Sequence, residues 1–174
     1  MMSPGNVYGG LTTIEEKSMG ALMKTGHSQL QGILQPGEYP ASAGWYLVDG
    51  LVAKNIRHFG LEADGEPTDF AASGAQIIAF TTGRGSADGN VVSPIVKICA
   101  NPQTYRSMHD DMDFNAGALL ETRSTASELS ARLLFKIVKV ASGEKTASER
   151  LGHLEGGMIF GGRLLATTPT RFCE

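Results

Sequence analysis

Two short runs, Gln76–Phe80 (QIIAF) and Pro94–Ala100 (PIVKICA), carry apolar residues almost continuously instead of alternating them with polar ones. A strand with that pattern has both faces covered, which is the situation of central strands in parallel sheets. Pro94 fits such a strand only at its first position, where no ladder donor is needed. Parallel strands require crossover connections and a helical layer to cover them. That layer is legible in Ser127–Ser142. Thr125 and Glu128 form a capping box, and Leu129, Leu133, Leu134, Ile137, Val138 and Ala141 predict a wide apolar stripe that Gly143 ends. The chain of 174 residues suits one core. The pattern therefore predicts an α/β layered fold with a mostly parallel sheet and a single domain, spanning 1–160 and followed by a poorly ordered tail, 161–174.

The other elements are weaker. A helix opens at Thr12 or Thr13, since Thr12/Glu15 and Thr13/Glu16 both match the capping box. Ile14, Ala21 and Leu22 share a face, Lys24 lies in the last turn, and Gly26 is the stop. QLQGILQ reads as a short strand, PGEYP as a loop and GWYLVDG as a buried strand. Residues 51–69 read as a loop with one short helix, and TDFAASGA as a short helix closed near Gly74. NPQTYRSMHDDMDFNAG reads as a polar loop with one helical turn. Thr146 and Glu149 start a further short turn, and GGMIF is an edge strand.

Charge and composition exclude several classes. The net charge is −3 and no Lys/Arg-rich run exists, so neither nucleic acid nor an anionic membrane is an expected partner. Two cysteines, Cys99 and Cys173, do not make a disulfide scaffold and fit a reducing cytoplasm. No apolar run approaches the ~18 residues that would span a bilayer, and MMSPGNVYGG lacks the charged and apolar regions expected of a signal peptide.

Four stretches could carry chemistry. In AFTTGRGSADG a strand delivers Thr81 and Thr82 to a loop in which Gly83 and Gly85 flank Arg84. Ligands bind beyond the carboxyl ends of parallel strands, glycine backbone admits an anion, and arginine grips a carboxylate bidentately. A glycine-rich turn with an exposed arginine accounts for the pattern equally well. It is not a dinucleotide fingerprint, because Asp88 stands where the third glycine belongs. In HDDMDFNAG, His109, Asp110, Asp111 and Asp113 could supply oxygen ligands to a hard cation. Their spacing departs from an EF-hand loop, and a solvated acidic loop is the better reading of the spacing alone. In GGLTTIEEKSMG, Glu15, Glu16 and Lys17 sit at the positive end of a helix, where capping explains them first. In ASGEKTASERLGHLE, Glu149 and His153 share a face if the stretch is helical, against the alternative of a polar surface connection.

Together, SPGNVYGGLTTIEEKSMGALMKTG, GAQIIAFTTGRGSADGNVVSPIVKICANP, DDMDFNAG and ASGEKTASE, in that order, resemble the C-terminal domain of the altronate dehydratase / galactarate dehydratase family of sugar-acid hydro-lyases. The resemblance covers most of residues 3–155. It implies a Rossmann-like α/β layer, removal of water from a sugar acid to give a 2-keto-3-deoxy acid, and a divalent metal, iron first, with Mn²⁺ or Mg²⁺ as alternatives. It also implies an N-terminal domain or subunit of the same enzyme as partner; a homodimer is a further assembly to consider.

On that resemblance, Thr12, Thr13, Thr81, Thr82, Gly83, Arg84 and Gly85 would receive the substrate. Asp111 and Asp113 would bind metal or substrate hydroxyls. Glu15, Glu16 and Lys17 would form part of the proton-transfer shell, with Lys97 a further candidate base unless it points to solvent. A folded, inactive domain that binds a sugar acid or supports assembly is the competing expectation.

Overall fold

The computed structural model describes residues 4–49, 65–122 and 124–154. Contacts divide the chain into two compact units, Met1–Ile33 with Ser42–Leu47, and Leu34–Ala41 with Val48–Glu174. The first holds helices α1 (Pro4–Tyr8) and α2 (Ile14–Leu22), with β1 (Leu30–Leu34) and β2 (Trp45–Val48) forming a two-stranded sheet at its boundary. The start of α2 matches expectation: the Glu16 N–H donates to Thr13 Oγ1 at 3.1 Å. The helix stops at Leu22, so Lys24 falls beyond it. Strand β2 is less covered than its apolar run predicts, because Trp45 is exposed. The side chains of Ile14 and Ala21 lie outside the described residues.

The second unit contains α3 (Gly65–Ala72), β3 (Ile78–Thr82), β4 (Ile95–Cys99), α4 (Pro102–Ser107), β5 (Phe114–Asn115), α5 (Ala118–Glu121), α6 (Ala126–Ala141) and α7 (Ala147–Leu151). Its sheet has the order β3-β4-β5, and both pairings are parallel. The α/β class and the parallel sheet are thus as the sequence predicts. Central β4 is buried at all five positions. Because strand side chains alternate, Val96 and Ile98 face one layer, and Ile95, Lys97 and Cys99 face the other. On the first face Val96, Ile98 and Phe114 form the core with Leu129 and Val140 of α6, and Ile77 and Leu133 pack against it. Burying five such side chains contributes roughly 10 kcal/mol as an upper estimate.

Three details differ from expectation, each for a local reason. Strand β3 begins two residues late, at Ile78, because its register is set by β4: Ile78 pairs with Ile95, and the Ile78 N–H donates to Pro94 O. Thr81 and Thr82 therefore belong to the strand. Asn101 caps α4 through Oδ1 and Pro102 opens it, a favoured cap followed by a favoured first residue, so a six-residue helix stands where one turn was expected. On α6 the capping box is present, but the apolar stripe is only partly inward. Of its residues Leu129 and Leu133 meet the sheet, joined there by Val140, which the stripe did not include, whereas Leu134 and Val138 are exposed. The expectations for 51–64, GGMIF, the tail at 161–174 and Cys173 lie outside the described residues.

Candidate functional site

The carboxyl end of β3 carries the glycine-rich loop, and its hydrogen bonds determine what the loop can offer. Thr81 pairs with Ile98 and Thr82 with Cys99. Their side chains leave opposite faces of the sheet, so the two hydroxyls do not converge on one ligand. Thr82 Oγ1 accepts the Gly85 N–H at 3.0 Å. That N–H is thereby used within the loop and not offered outward. Gly83 O accepts from Thr104 Oγ1 at 2.9 Å, which ties the loop to α4. Gly85 has φ +85, and a Cβ there would overlap Met108 and Thr104. The loop bends tightly onto α4 and leaves Arg84 exposed.

Beyond Arg84, the Ser86 hydroxyl donates to Asp88 Oδ2. The Asp88 carbonyl accepts from Ser148 Oγ at 2.9 Å, and a Cβ on Gly89 would overlap the His153 carbonyl. The loop is therefore seated on α7. The acidic stretch reaches α7 as well. Asp113 Oδ1 accepts the Ala147 N–H at 2.8 Å, and Oδ2 accepts the Lys97 N–H at 2.9 Å. Its side chain is fully buried, with Lys136 Nζ at 3.9 Å. Both oxygens of this candidate metal ligand thus hold the N-terminus of α7 to β4, an arrangement favoured by the positive end of the helix. Thr146 caps α7 from a buried position, with the Thr146 N–H donating to Glu149 Oε2 at 2.8 Å.

Asp111 is half-buried, with Oδ1 3.9 Å from His153 Nε2. The sequence pairing of His153 with Glu149 is replaced, because α7 ends at Leu151 and Glu149 turns back to Thr146. His109 and Asp110 pair with each other at 3.0 Å on the surface. Among the described residues no three His, Cys, Asp or Glu side chains are grouped to hold a metal ion. Glu155, at the end of the ASGEKTASERLGHLE stretch, lies outside the described residues.

Lys97 is fully buried, which removes the alternative that it points to solvent. It shares its sheet face with Cys99 and, across the β4–β5 pairing, with Asn115, whose Oδ1 is buried without a hydrogen-bond partner. Sequence reasoning passed over Asn115. The only trace of it was a polar residue placed just after Phe114.

Thr12, Thr13, Glu15, Glu16 and Lys17 belong to the first unit and are exposed. Glu16 Oε2 accepts the Thr12 hydroxyl at 2.6 Å and the Thr12 N–H at 2.7 Å. The Thr12 hydroxyl and then its N–H hold the Glu16 carboxyl below the usual carboxylate range. Glu16 thus closes the cap one residue before Thr13.

A family model described as D-galactarate/altronate dehydratase, C-terminal, matches residues 1–161. The β subunit of (2R)-sulfolactate sulfo-lyase from Chromohalobacter salexigens is 36% identical over 152 residues, 87% of this chain and 37% of that protein. Galactarate dehydratase (L-threo-forming) from Escherichia coli is 34% identical over 151 residues, 86% of this chain and 27% of that enzyme. Altronate dehydratase from Bacillus subtilis is 34% identical over 152 residues, 85% of this chain and 28% of that enzyme. The chain spans between 27% and 37% of the length of these relatives. No helix among the described residues is long and apolar enough to cross a membrane.

Proposed function

The chain belongs to the D-galactarate/altronate dehydratase family, by its C-terminal portion, and we propose from this that it forms part of a lyase acting on sugar acids. The assembled enzyme would be a hydro-lyase that removes water from galactarate, altronate or a similar acid. One observation supports this reading most. The GRGSADG stretch leaves the carboxyl end of β3, the DDMDFNAG stretch leads into β5, and both are joined to the KTASE stretch, by the Asp88–Ser148 and Asp113–Ala147 hydrogen bonds. Arg84 stands exposed on that assembly.

Dehydration of a hydroxy acid removes the proton α to the carboxylate, stabilises the enediolate and protonates the departing β-hydroxyl. Arg84 is suited to the carboxylate, with Thr81 or Thr82 and Gly83 beside it. Gly85 shapes the loop. Lys97, buried on the sheet face it shares with Asn115, is the candidate base in this unit, and Glu15, Glu16 and Lys17 are candidates from the other. The divalent metal implied by the resemblance does not fit the described residues on their own, since Asp113 is committed to backbone N–H groups. Asp111 is the acidic candidate left to contribute to such a site, with other ligands drawn from elsewhere in the enzyme. A cytoplasmic location belongs to the same proposal.

The test uses the chain assembled with the part of the enzyme that its relatives carry beyond this length. 2-Keto acid formation from galactarate or altronate is measured for the parent and for Arg84→Ala. Removing a carboxylate clamp should raise KM and lower kcat/KM by roughly 10²-fold or more. Unchanged turnover and KM would remove Arg84 from the site. The second reading, a domain that binds or assembles without catalysing, is favoured by the chain's 27% coverage of galactarate dehydratase. Keto-acid formation by the isolated chain would refute it.

A further inference from the structure

We infer that the first unit is a docking surface, and that its occupant is the polypeptide that full-length relatives carry in addition to this C-terminal portion. The inference rests on the family reading and adds where the two parts meet. No residue of 4–49 whose burial is described is buried. A folded unit needs an apolar core to offset the entropy of ordering its chain, and among the described residues of this one no side chain is fully buried.

Several apolar side chains that could make such a core are exposed instead. Tyr8 is 88% exposed, Met23 84% and Met19 65%. Met19, Leu22 and Met23 fall at i, i+3 and i+4 of one helix and its last turn, the spacing of a stripe that packs against a neighbour. Leu30 and Ile33 stand at odd separation on β1, so they leave opposite faces of the strand, yet both are exposed. A two-stranded sheet is marginal in water unless something covers it.

This distribution selects the occupant. A second copy of the chain docking through one patch would cover one face and leave the other in water. Cover on both faces of β1 and along α2 requires a body that wraps the unit. The relatives have such a body, because this portion accounts for only 27–37% of their length. Thr12, Thr13, Glu15, Glu16 and Lys17 lie in the same unit, so docking would also order those candidate site residues.

Amide hydrogen exchange with mass spectrometry tests the inference. In the isolated chain, amides of residues 4–33 should exchange within about tenfold of unprotected rates, while those of β4 and α6 are slower by about 10³-fold or more. The chain is then joined behind the preceding part of E. coli galactarate dehydratase, replacing that enzyme's own matching portion. Protection of residues 4–33 should rise by at least about tenfold. In that fusion, Met19→Asp with Ile33→Asp should abolish the gain and leave β4 and α6 unchanged. Protection of residues 4–33 equal to that of β4 in an isolated, monomeric chain overturns the inference, as does a fusion without the gain. Protection that appears only with dimerisation in sedimentation velocity assigns the surface to a second copy and also overturns it. The readout is independent of turnover: a protected but inactive fusion counts against the proposed activity alone, and an active fusion with an unprotected first unit counts against the docking alone.

Discussion

Asp113→Asn separates an architectural carboxylate from a metal ligand. The parent side chain is buried and accepts two backbone N–H groups, Lys97 at 2.9 Å and Ala147 at 2.8 Å. Asparagine keeps the shape but has a single acceptor oxygen, so one N–H must face an amide N–H₂. Hydrogen bonds to a charged group are worth about 1.5–3 kcal/mol, and a buried donor left without an acceptor costs about 1–3. The two descriptions overlap, and the expected loss is about 2–3 kcal/mol. In a domain of this size that lowers the Tm by roughly 5–10 °C. Asp113→Ala orphans both donors, and a loss of about 4–6 kcal/mol would approach the whole stability of an ordinary domain. Urea unfolding followed by circular dichroism at 222 nm, where α6 dominates, measures both variants in chelator and in divalent metal. A loss below about 0.5 kcal/mol for Asp113→Asn in chelator refutes the architectural role. A loss seen only with metal present restores the ligand role expected from the sequence.

Three other substitutions or conditions probe the same frame. Gly89→Ala drives a methyl into the His153 carbonyl and the Ser148 side chain. It should cost about 1–3 kcal/mol in denaturant unfolding, while Gly83→Ala, which meets nothing within 4 Å, should stay within about 0.5. Thr146→Ala removes a buried cap and should cost up to about 2 kcal/mol, more than the exposed cap loss in Thr125→Ala at about 1; equal losses would show that burial of the α7 cap adds nothing. The Glu16, Glu128 and Glu144 carboxyls all lie below their ordinary value of 4.5, held there chiefly by the Thr12 hydroxyl, the Thr125 N–H and Lys136. A depressed folded value favours the fold above the ordinary carboxylate range and ceases to do so as pH falls through the folded value. Stability should therefore decline as pH drops below 4.5, and Glu128→Gln should flatten that decline in acid titrations followed at 222 nm.

The legible parts of the fold were those encoded by strong local chemistry. PIVKICA announced a strand buried on both faces, and the two Thr-x-x-Glu pairs announced the starts of α6 and α7. Asn101-Pro102 encoded α4 just as locally, but its helix is short and polar, so the cap passed as a turn. Phe114–Asn115 could not be read at all: a two-residue strand has no period, and only the neighbouring β4 makes it a strand. The same limit governs the site. Arg84 was picked out by the glycines around it, and its exposure fits a plain glycine-rich turn equally well. The burial of Lys97 and the commitment of Asp113 to two amides depend on what the sheet and α7 place next to them. Spacing along the chain carries no record of such neighbours.

A common thread joins these outcomes. Hydroxyls and carboxylates were singled out as ligand-binding groups because polar residues in glycine-rich loops are suited to ligands. In the folded chain several of those same groups bind backbone: Thr82 holds Gly85, Asp113 holds Lys97 and Ala147, and Glu16 holds Thr12. Loops beyond the ends of a parallel sheet leave many N–H and C=O groups without ladder partners, and buried ones must be satisfied. Polar side chains at those positions therefore have architectural work before they have chemical work. The motifs that carry the family resemblance are, in this light, chiefly a frame that keeps three loops in register. A frame of that kind can be shared while the groups projecting from it differ, which is how one set of motifs can recur in relatives named for different acids. The groups to mutate first for chemistry are consequently those whose side chains the frame leaves over, Arg84 and Asp111. Asp113 and Thr82 come second, since changing either disturbs the loops before it informs on the reaction.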